Sequence, residues 1–259
     1  MRSPILMSTI LSASRFFIPA STSSICPAAA QRLFTHINTC NSNNRLFSTS
    51  QSQPSKMSPN SAALLEAFKG RRSIYQLTKD LPISKEQITA IIKEAVVQTP
   101  SSFNSQSNRV LVLHGAEHEK LWDLTSETLK AIVPADAWEA TAQRNAGYKA
   151  GAGTVLFFIN QTAVKGMQEK FALYADRFPT WAEHSSAMLQ FAAWTALEAD
   201  GLGASLQHYN PLIDAKVTSE WNIPSDWVLV SQLVFGGRGG EAGAKEHLPL
   251  EETVKVAGL

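Results

Sequence analysis

Cysteine is scarce in this sequence and is confined to its first part, where Cys26 and Cys40 are the only two. The residues that follow therefore offer no disulfide, no thiolate nucleophile and no Cys-ligated metal site. Long apolar runs are missing as well. No stretch reaches the roughly 18 uncharged apolar residues that a transmembrane helix requires, so we predict no membrane span.

Acidic residues are absent from residues 1–56, although basic residues and many Ser, Thr, Asn and Gln occur there. A basic, Ser-rich segment without acids is typical of a mitochondrial transit peptide, and RLFS at 45–48 resembles a matrix-processing site. We therefore expect residues 1–56 to be a disordered leader that directs the protein to the mitochondrial matrix. An untargeted disordered tail is the alternative, and translation from Met57 would leave the protein in the cytoplasm. Residues 57–259 are predicted to form the folded domain.

The folded part lacks the patterns of several catalytic and binding classes. It holds 18 basic and 22 acidic residues and no basic run, so we expect no nucleic-acid partner. His114 and His118 are its one close histidine pair and do not form HExxH, so no metal site is predicted. GASLQ (203–207) ends in Gln where the nucleophile elbow of a hydrolase needs Gly. We predict no catalytic side chain.

Helical and strand patterns alternate from Ser58 onward. Ser84 and Gln87 form a capping-box pattern before apolar residues at helical spacing. TVLFFI (154–159) has little alternation, which predicts a strand buried on both faces. Four or five strands and six or seven helices in mixed order indicate an α+β or α/β sheet flanked by helices in one main domain.

Three further segments carry secondary-structure predictions. Residues 164–177 are expected to form a helix, and ETVKV (252–256) an edge strand. A long helical pattern, TWAEHSSAMLQFAAWTALEADGLG (180–203), has apolar residues on more than one face. Such a helix lies at the centre of a domain or in a dimer interface.

Two basic segments could each bind an anion. GRRSIY (70–75) has adjacent arginines followed by a hydroxyl, and FGGRGGEAGAK (235–245) combines glycines with Arg238 and Lys245. A solvated basic pair and a flexible surface loop are the respective alternatives. The polar stretch TPSSFNSQS (99–107) lies between them in the sequence. Together the three segments are what a large amphipathic cofactor requires.

The order and spacing of RRSIY, PSSFNSQS, GLGASLQHYN and AKEHLP resemble the FMN-dependent nitroreductase family, most closely its oxidative-stress branch. The resemblance extends from Ala62 to Val256 and leaves the leader unmatched. It implies an α+β, nitroreductase-like fold with a central mixed β-sheet flanked by helices. It also implies an intertwined homodimer that carries FMN at each of two interface sites.

The resemblance implies a set of cofactor-binding residues in three groups. Toward the FMN phosphate and the flavin edge it places Arg71, Arg72, Ser73 and Lys245, and we add Arg238 as the other basic residue of the anion-binding loop. Along the flavin and its ribityl chain, from the partner subunit, it places Pro100, Ser101, Ser102, Asn104 and Gln106. Past the ring, near N5 and O4, it places Leu206, Gln207, His208 and Tyr209.

Four positions depart from the family pattern, and one of them is Ser107, which follows Gln106 where many members have proline. Tyr75 stands where many members have a lysine beside the flavin pyrimidine, so one of the two arginines or a helix N-terminus is expected to stabilise the negative charge of reduced flavin. His247 replaces a second basic phosphate ligand. His208 stands where an acidic residue is often found beside N5. We therefore expect Tyr75 and His208 to modulate the reaction.

The resemblance implies an NAD(P)H-dependent nitroreductase. Hydride would pass from NADH or NADPH to flavin N5, and nitroaromatics or quinones would be reduced in the alternate half-reaction. The resemblance to the oxidative-stress branch of the family also implies a role in the response to oxidative stress. A non-catalytic or regulatory flavin-binding protein with the same fold is the alternative, and a scaffold without a cofactor is a third reading.

Overall fold

The computed structural model describes residues 58–258. The predicted leader, Met57 and both cysteines lie outside these residues. Eight α-helices occur within the described residues: α1 (Pro59–Gly70), α2 (Lys85–Gln98), α3 (Ala116–Lys130), α4 (Ala135–Lys149), α5 (Gln161–Lys170), α6 (Phe178–Ala199), α7 (Asp214–Glu220) and α8 (Leu250–Thr253). The same residues contain five strands: β1 (Leu77–Thr78), β2 (Asn108–His114), β3 (Gly153–Asn160), β4 (Leu202–Gln207) and β5 (Trp227–Arg238). Two 3₁₀ turns cover Ser102–Asn104 and Ala172–Arg177.

The strands form one sheet in which β3 and β4 flank β5 on opposite sides. Gln232 of β5 is in register with Leu156 of β3 and with Gln207 of β4. Strand β2 pairs with the far side of β3, so β2 and β4 are opposite edges of this part of the sheet. The named strands pair antiparallel, and a bridge between Ser73 and Ala204 adds a parallel element. The predicted α+β class is confirmed.

The buried strand predicted at 154–159 is confirmed, because helices cover both faces of the sheet. Alternate residues of a strand point to opposite faces. Val155 and Phe157 pack in a core with residues of α2 and α6. Leu156 and Phe158 pack in a second core with residues of α3 and α7. A strand buried on both sides has no polar face, which explains its continuous apolar run.

Helix α6 lies against the sheet and also carries α1 and α2. Leu189 and Ala193 are buried against the sheet core, as the small-residue pattern indicates. On another face Phe191 meets the Phe68 ring of α1, with ring centroids 4.9 Å apart, and Met188 remains 43% exposed. The prediction that this helix is apolar on more than one face is therefore confirmed.

Two secondary-structure predictions were wrong. The helix predicted over 164–177 breaks at Phe171, whose backbone leaves the helical region (φ −127°, ψ 62°) while its ring packs on that of Phe103 at 4.6 Å. The edge strand predicted at 252–256 is instead the short α8 followed by extended chain. Val254 and Val256 are exposed, and no strand among residues 58–258 pairs with this segment. The β propensity of its residues alone therefore does not make it a strand.

The capping box predicted at the start of α2 is present. Ser84 Oγ accepts from the Gln87 amide at 3.2 Å, and Gln87 Oε1 accepts from the Ser84 amide at 2.9 Å. This reciprocal pair satisfies two backbone donors at the helix start and is worth about 1 kcal/mol. None of the helices in the described part of the chain is both long and apolar enough to cross a membrane.

Candidate functional site

A cleft of about 560 Å³ opens between the end of β4, helix α4 and the segment that follows α1. We call it the β4 cleft. Its lining residues are Tyr75, Gln143, Arg144, Gly147, Tyr148, Leu206 and Gln207. Its volume lies within the range of small-molecule sites in proteins. The cleft therefore contains three residues that the sequence predicts for cofactor binding and four from α4 that it does not.

The segment Arg71–Tyr75 is attached to β4 by its backbone. The Ile74 amide donates to the Ala204 carbonyl at 2.9 Å, and Ser73 forms the parallel bridge to the same residue. Ile74 is fully buried, so hydrophobic packing holds the segment in place as well. RRSIY and GLGASLQHYN, which are about 130 residues apart in the sequence, are therefore adjacent in the fold.

A buried carboxylate, that of Glu198 on α6, organises this junction. Its side chain is 1% exposed and accepts four hydrogen bonds. The donors are the Arg72 amide (2.7 Å), Trp194 Nε1 (3.0 Å), Arg238 Nη2 (3.1 Å) and the Ala204 amide (3.2 Å). Burial raises the pKa of Glu198, while the four donors favour its ionised form and oppose that effect.

The predicted basic residues have different partners in the fold. The Arg71 guanidinium lies over the Trp194 ring at 4.4 Å, and its Nε is a buried donor with no acceptor among the described residues. Arg72 donates through Nη2 to the Gly243 carbonyl, which brings the chain around the exposed Lys245 toward the same side. Arg238 is committed to Glu198 and to the Leu202 carbonyl at 3.1 Å.

Glycines of the predicted anion loop belong partly to the sheet. Gly236 and Gly237 lie within β5, not in a loop. A Cβ on Gly237 would overlap the Asp80 carbonyl, and one on Gly236 would overlap that of Thr78. These two glycines therefore allow the backbone around β1 to approach β5.

The polar stretch at 99–107 forms a second depression, of about 380 Å³, which we call the loop cleft. Its lining residues are Val96, Val97, Thr99, Ser101, Asn104, Gln106, Asn108 and Arg109. Three of the predicted residues, Ser101, Asn104 and Gln106, are among them. Pro100 and Ser102 belong to the same stretch but do not line the depression.

Strained backbone and a pair of anchors shape this stretch. Phe103, Asn104 and Gln106 have φ values of 55°, 52° and 46°, a left-handed region that non-glycine residues adopt at a cost. Ser185 of α6 anchors both ends: its Oγ donates to the Pro100 carbonyl at 3.0 Å and accepts from Asn108 Nδ2 at 2.9 Å. Strain held by a rigid frame is common at ligand sites.

The two clefts are separate in one chain. Leu206 and Gln207 are at the end of β4, whereas the polar stretch leads into β2 at the opposite edge of the sheet. Three strand spacings of about 4.8 Å separate those edges, roughly 14 Å. The predicted residues therefore form two groups that a single chain does not bring together.

The residues after Gln207 diverge from the cleft. His208 is exposed. Tyr209 turns into the core, where its ring centroid is 5.7 Å from that of Trp122 and 6.2 Å from that of Tyr148, and its amide donates to Gln232 Oε1 at 2.8 Å. Burial raises the pKa of both Tyr148 and Tyr209, so both phenols stay protonated near neutral pH.

Sequence reasoning missed the contribution of α4. Gln143 and Gly147 are four residues apart, as are Arg144 and Tyr148, so all four lie on one side of a helix. This spacing is visible in the sequence, but it does not show which element the side faces. In residues 58–258 no three His, Asp or Glu side chains cluster as metal ligands would.

Comparison with known proteins links this geometry to one family. The model of the nitroreductase family matches residues 68–237. The Saccharomyces cerevisiae nitroreductase FRM2 is 34% identical over 174 residues, which are 66% of this chain and 86% of FRM2. The nitroreductase CinD of Lactococcus lactis, solved with nicotinic acid, is 45% identical with a TM-score of 0.71, covering 75% of this chain and all of CinD.

CinD has also been solved with chloramphenicol and with 4-nitrophenol. A more distant structure, from Desulfovibrio desulfuricans and in complex with FMN, is 18% identical with a TM-score of 0.56. The match covers 79% of this chain and 99% of the Desulfovibrio chain, and the two share the fold.

Proposed function

The chain belongs to the nitroreductase family, and from this premise we propose that it is an FMN-dependent oxidoreductase that uses NADH or NADPH. One observation carries the proposal. The Arg71–Tyr75 segment is attached to β4 beside a cleft of about 560 Å³, and the buried Nε of Arg71 has no acceptor within residues 58–258. A basic end next to a partly apolar cleft fits a molecule with a phosphate at one end and a ring at the other.

The basic residues fit the FMN phosphate. Arg71 Nε has no acceptor among residues 58–258, and a phosphate oxygen would satisfy it. Arg72, Ser73 and the exposed Lys245 are the further donors we assign to the phosphate. Arg238 has a different task, because Glu198 and Leu202 already engage its guanidinium. We infer that it neutralises Glu198, which in turn holds the Arg72 backbone.

The β4 cleft is the place we assign to the flavin ring, with Leu206 and Gln207 along one wall and Tyr75 at the mouth. His208 is exposed beyond Gln207, where it would alter the polarity met by an incoming substrate. When bound, FMN supplies hydride acceptance from the nicotinamide and its transfer to a second substrate. The protein orients the ring, binds its phosphate and leaves one side open.

We propose a homodimer, because five of the predicted residues lie at the far edge of the sheet. Pro100, Ser101, Ser102, Asn104 and Gln106 would reach the flavin from the partner subunit. An apolar surface supports this. Helix α1 has no buried residue within the described chain, and its Leu64 and Leu65 are exposed, as are Met188 and Phe191 of the helix on which it packs. Exposed apolar patches of this kind mark interfaces.

Nitroaromatics and quinones are the acceptors we propose. The complex of CinD with 4-nitrophenol supports a nitro acceptor. In this chain an aromatic cluster adjoins the loop cleft: the Phe103 ring lies 4.6 Å from that of Phe171 and 5.9 Å from that of Trp181. Phe103 and Tyr174 are partly exposed and offer flat apolar surface to an aromatic ring.

Anaerobic stopped-flow spectroscopy of the purified protein tests this function. We expect yellow protein that NADH or NADPH bleaches and that nitroaromatic or quinone acceptors then reoxidise. A colourless preparation that FMN cannot reconstitute would end the proposal. Flavin bound without turnover by any nicotinamide and acceptor would instead favour the non-catalytic, regulatory alternative.

The cellular setting is a separate proposal that rests on the sequence. Residues 1–56 would direct the protein to the mitochondrial matrix, and a start at Met57 would leave it in the cytoplasm. A role in oxidative stress rests on the resemblance alone. Import of a fluorescent fusion of residues 1–56, compared with a fusion starting at Met57, tests the first point. Cytoplasmic fluorescence of both would disprove targeting.

A further inference from the structure

We propose that Arg144 of α4 is the cation that stabilises the negative charge of reduced FMN in this protein. The inference rests on the proposed function and adds a residue that the sequence did not identify. Arg144 lines the β4 cleft together with Tyr75, Leu206 and Gln207. It is the one cationic side chain among the lining residues of that cleft, and none of them is acidic.

A cation is required because reduction adds electrons to the ring. Preorganised positive charge facing the site where negative charge develops favours the reduced state over the oxidised state. Tyr75, at the mouth of the same cleft, does not meet this need, since a phenol carries no positive charge in either protonation state.

The other basic residues near the site have other tasks, since Arg71, Arg72 and Lys245 are assigned to the phosphate and Arg238 to Glu198. Arg71 stacks on Trp194, Arg72 donates to the Gly243 carbonyl, and Arg238 pairs with Glu198. On α4 itself, Lys149 pairs with Asp123 at 2.6 Å. By contrast, no carboxylate of residues 58–258 forms an ion pair with Arg144.

Packing against α3 holds the backbone of α4 around Arg144 in a defined place. Its neighbour Asn145 is buried and donates through Nδ2 to the Trp122 carbonyl at 2.7 Å. One turn later Tyr148 is buried with its ring 4.8 Å from that of Trp122. These contacts join α4 to α3 within the turn that follows Arg144. The Arg144 charge also acts to lower the pKa of Tyr148 and of Tyr209, against the larger effect of burial, which places the guanidinium near both phenols.

The test is the two-electron midpoint potential of protein-bound FMN, measured by anaerobic dye equilibration, together with the Kd for oxidised FMN. Removing the charge weakens binding of reduced FMN more than that of oxidised FMN. For Arg144→Gln and Arg144→Met we expect the ratio of the two affinities to fall about tenfold, which is a potential about 30 mV lower. Arg144→Lys keeps the charge and should retain most of the wild-type potential.

Lys130→Gln is the matched control. Lys130 is an exposed cation in the last turn of α3 that lines neither cleft, and its loss changes net charge equally. We expect its potential to equal that of the wild type. An equal drop in this variant would show a general charge effect and overturn the inference.

The remaining outcomes separate the two proposals. Wild-type protein that does not bind FMN defeats the proposed function. Wild-type protein that binds FMN while Arg144→Gln and Arg144→Met keep the wild-type potential defeats only the role of Arg144. Equal weakening of oxidised and reduced FMN also defeats it, since Arg144 would then be a plain binding residue.

Discussion

Glu198 brings together groups from α1's end, α6, β4 and β5. Its carboxylate receives two backbone and two side-chain donors, and it is almost fully removed from water. Unsatisfied buried donors are costly, so this acceptor helps to fix the position of the Arg71–Ser73 backbone. No local sequence pattern predicts this role, because a glutamate near the end of a helix is ordinarily solvated.

We predict that Glu198→Gln lowers the free energy of unfolding by about 2 kcal/mol, because an amide NH₂ replaces an acceptor oxygen among four donors and Arg238 loses its counter-charge. Urea unfolding followed by circular dichroism measures the change. Glu241→Gln, at an exposed position, is the control and should have no measurable effect. A Glu198→Gln midpoint equal to that of the wild type would contradict the role given to Glu198.

A second residue-scale prediction concerns pH. His118 is fully buried: its Nε2 lies 3.3 Å from the Lys149 carbonyl, and its Nδ1 lies 2.8 Å from Thr154 Oγ1. A carbonyl only accepts, so Nε2 carries the proton and Nδ1 accepts from the hydroxyl. Burial lowers the pKa of His118 to about 4.

The unfolded chain, with a histidine pKa near 6.5, therefore binds this proton before the folded chain does. Stability from neutral His118 is complete above pH 6.5 and is lost as the pH falls toward 4, by up to about 3 kcal/mol. In His118→Gln this loss is absent, so the stability difference between wild type and variant should shrink on acidification. Unfolding curves at pH 7, 6, 5 and 4 measure it, and a constant difference would refute the prediction.

At the scale of elements, the polar stretch at 99–107 is held by the helix behind it. Ser185 bonds to the Pro100 carbonyl and to the Asn108 side chain, and the Ser107 carbonyl accepts from the Asn160 amide of β3 at 2.8 Å. The strained residues between these anchors keep their conformation because both ends are tied. Helix α6 and strand β3 therefore hold the stretch in place.

We predict that Ser185→Ala raises the Kd for FMN about tenfold, since an untied stretch must be ordered on binding. Ser186→Ala is the matched control, because the Ser186 hydroxyl is equally buried but bonds to Gln190 within α6. Quenching of FMN fluorescence measures both Kd values. Equal affinities in the two variants would show that the Ser185 anchors do not matter for binding.

Elements were predictable where local chemistry decides them. The capping box of α2 and the buried strand β3 are examples, since both depend on neighbouring residues. The helix predicted across Phe171 failed because that ring packs on Phe103, 68 residues earlier in the chain. The strand predicted at 252–256 failed because a strand needs a partner edge, which residue propensity does not supply.

At the scale of the whole molecule, the two groups of site residues lie at opposite sheet edges. We predict that light scattering shows the wild-type protein to be a dimer. For Met188→Asp we predict a monomer that no longer retains FMN, because a charge in an apolar interface is costly to desolvate. Ile132→Asp, which places the same charge at another exposed apolar position, should remain dimeric and yellow. Monomeric wild-type protein with full FMN occupancy would rule out a shared site.

The sequence by itself determined the start of α2, the strand buried on both faces and the order of the four motifs that identify the family. These features depend on residue type and local spacing, which can be read directly from the sequence. Only the tertiary structure decided how the charges are used. It committed Arg238 to Glu198, placed Arg144 in the cleft with Tyr75 and separated the polar stretch from β4. Such pairings join residues tens of positions apart, so they exist only once the sheet and helices have packed.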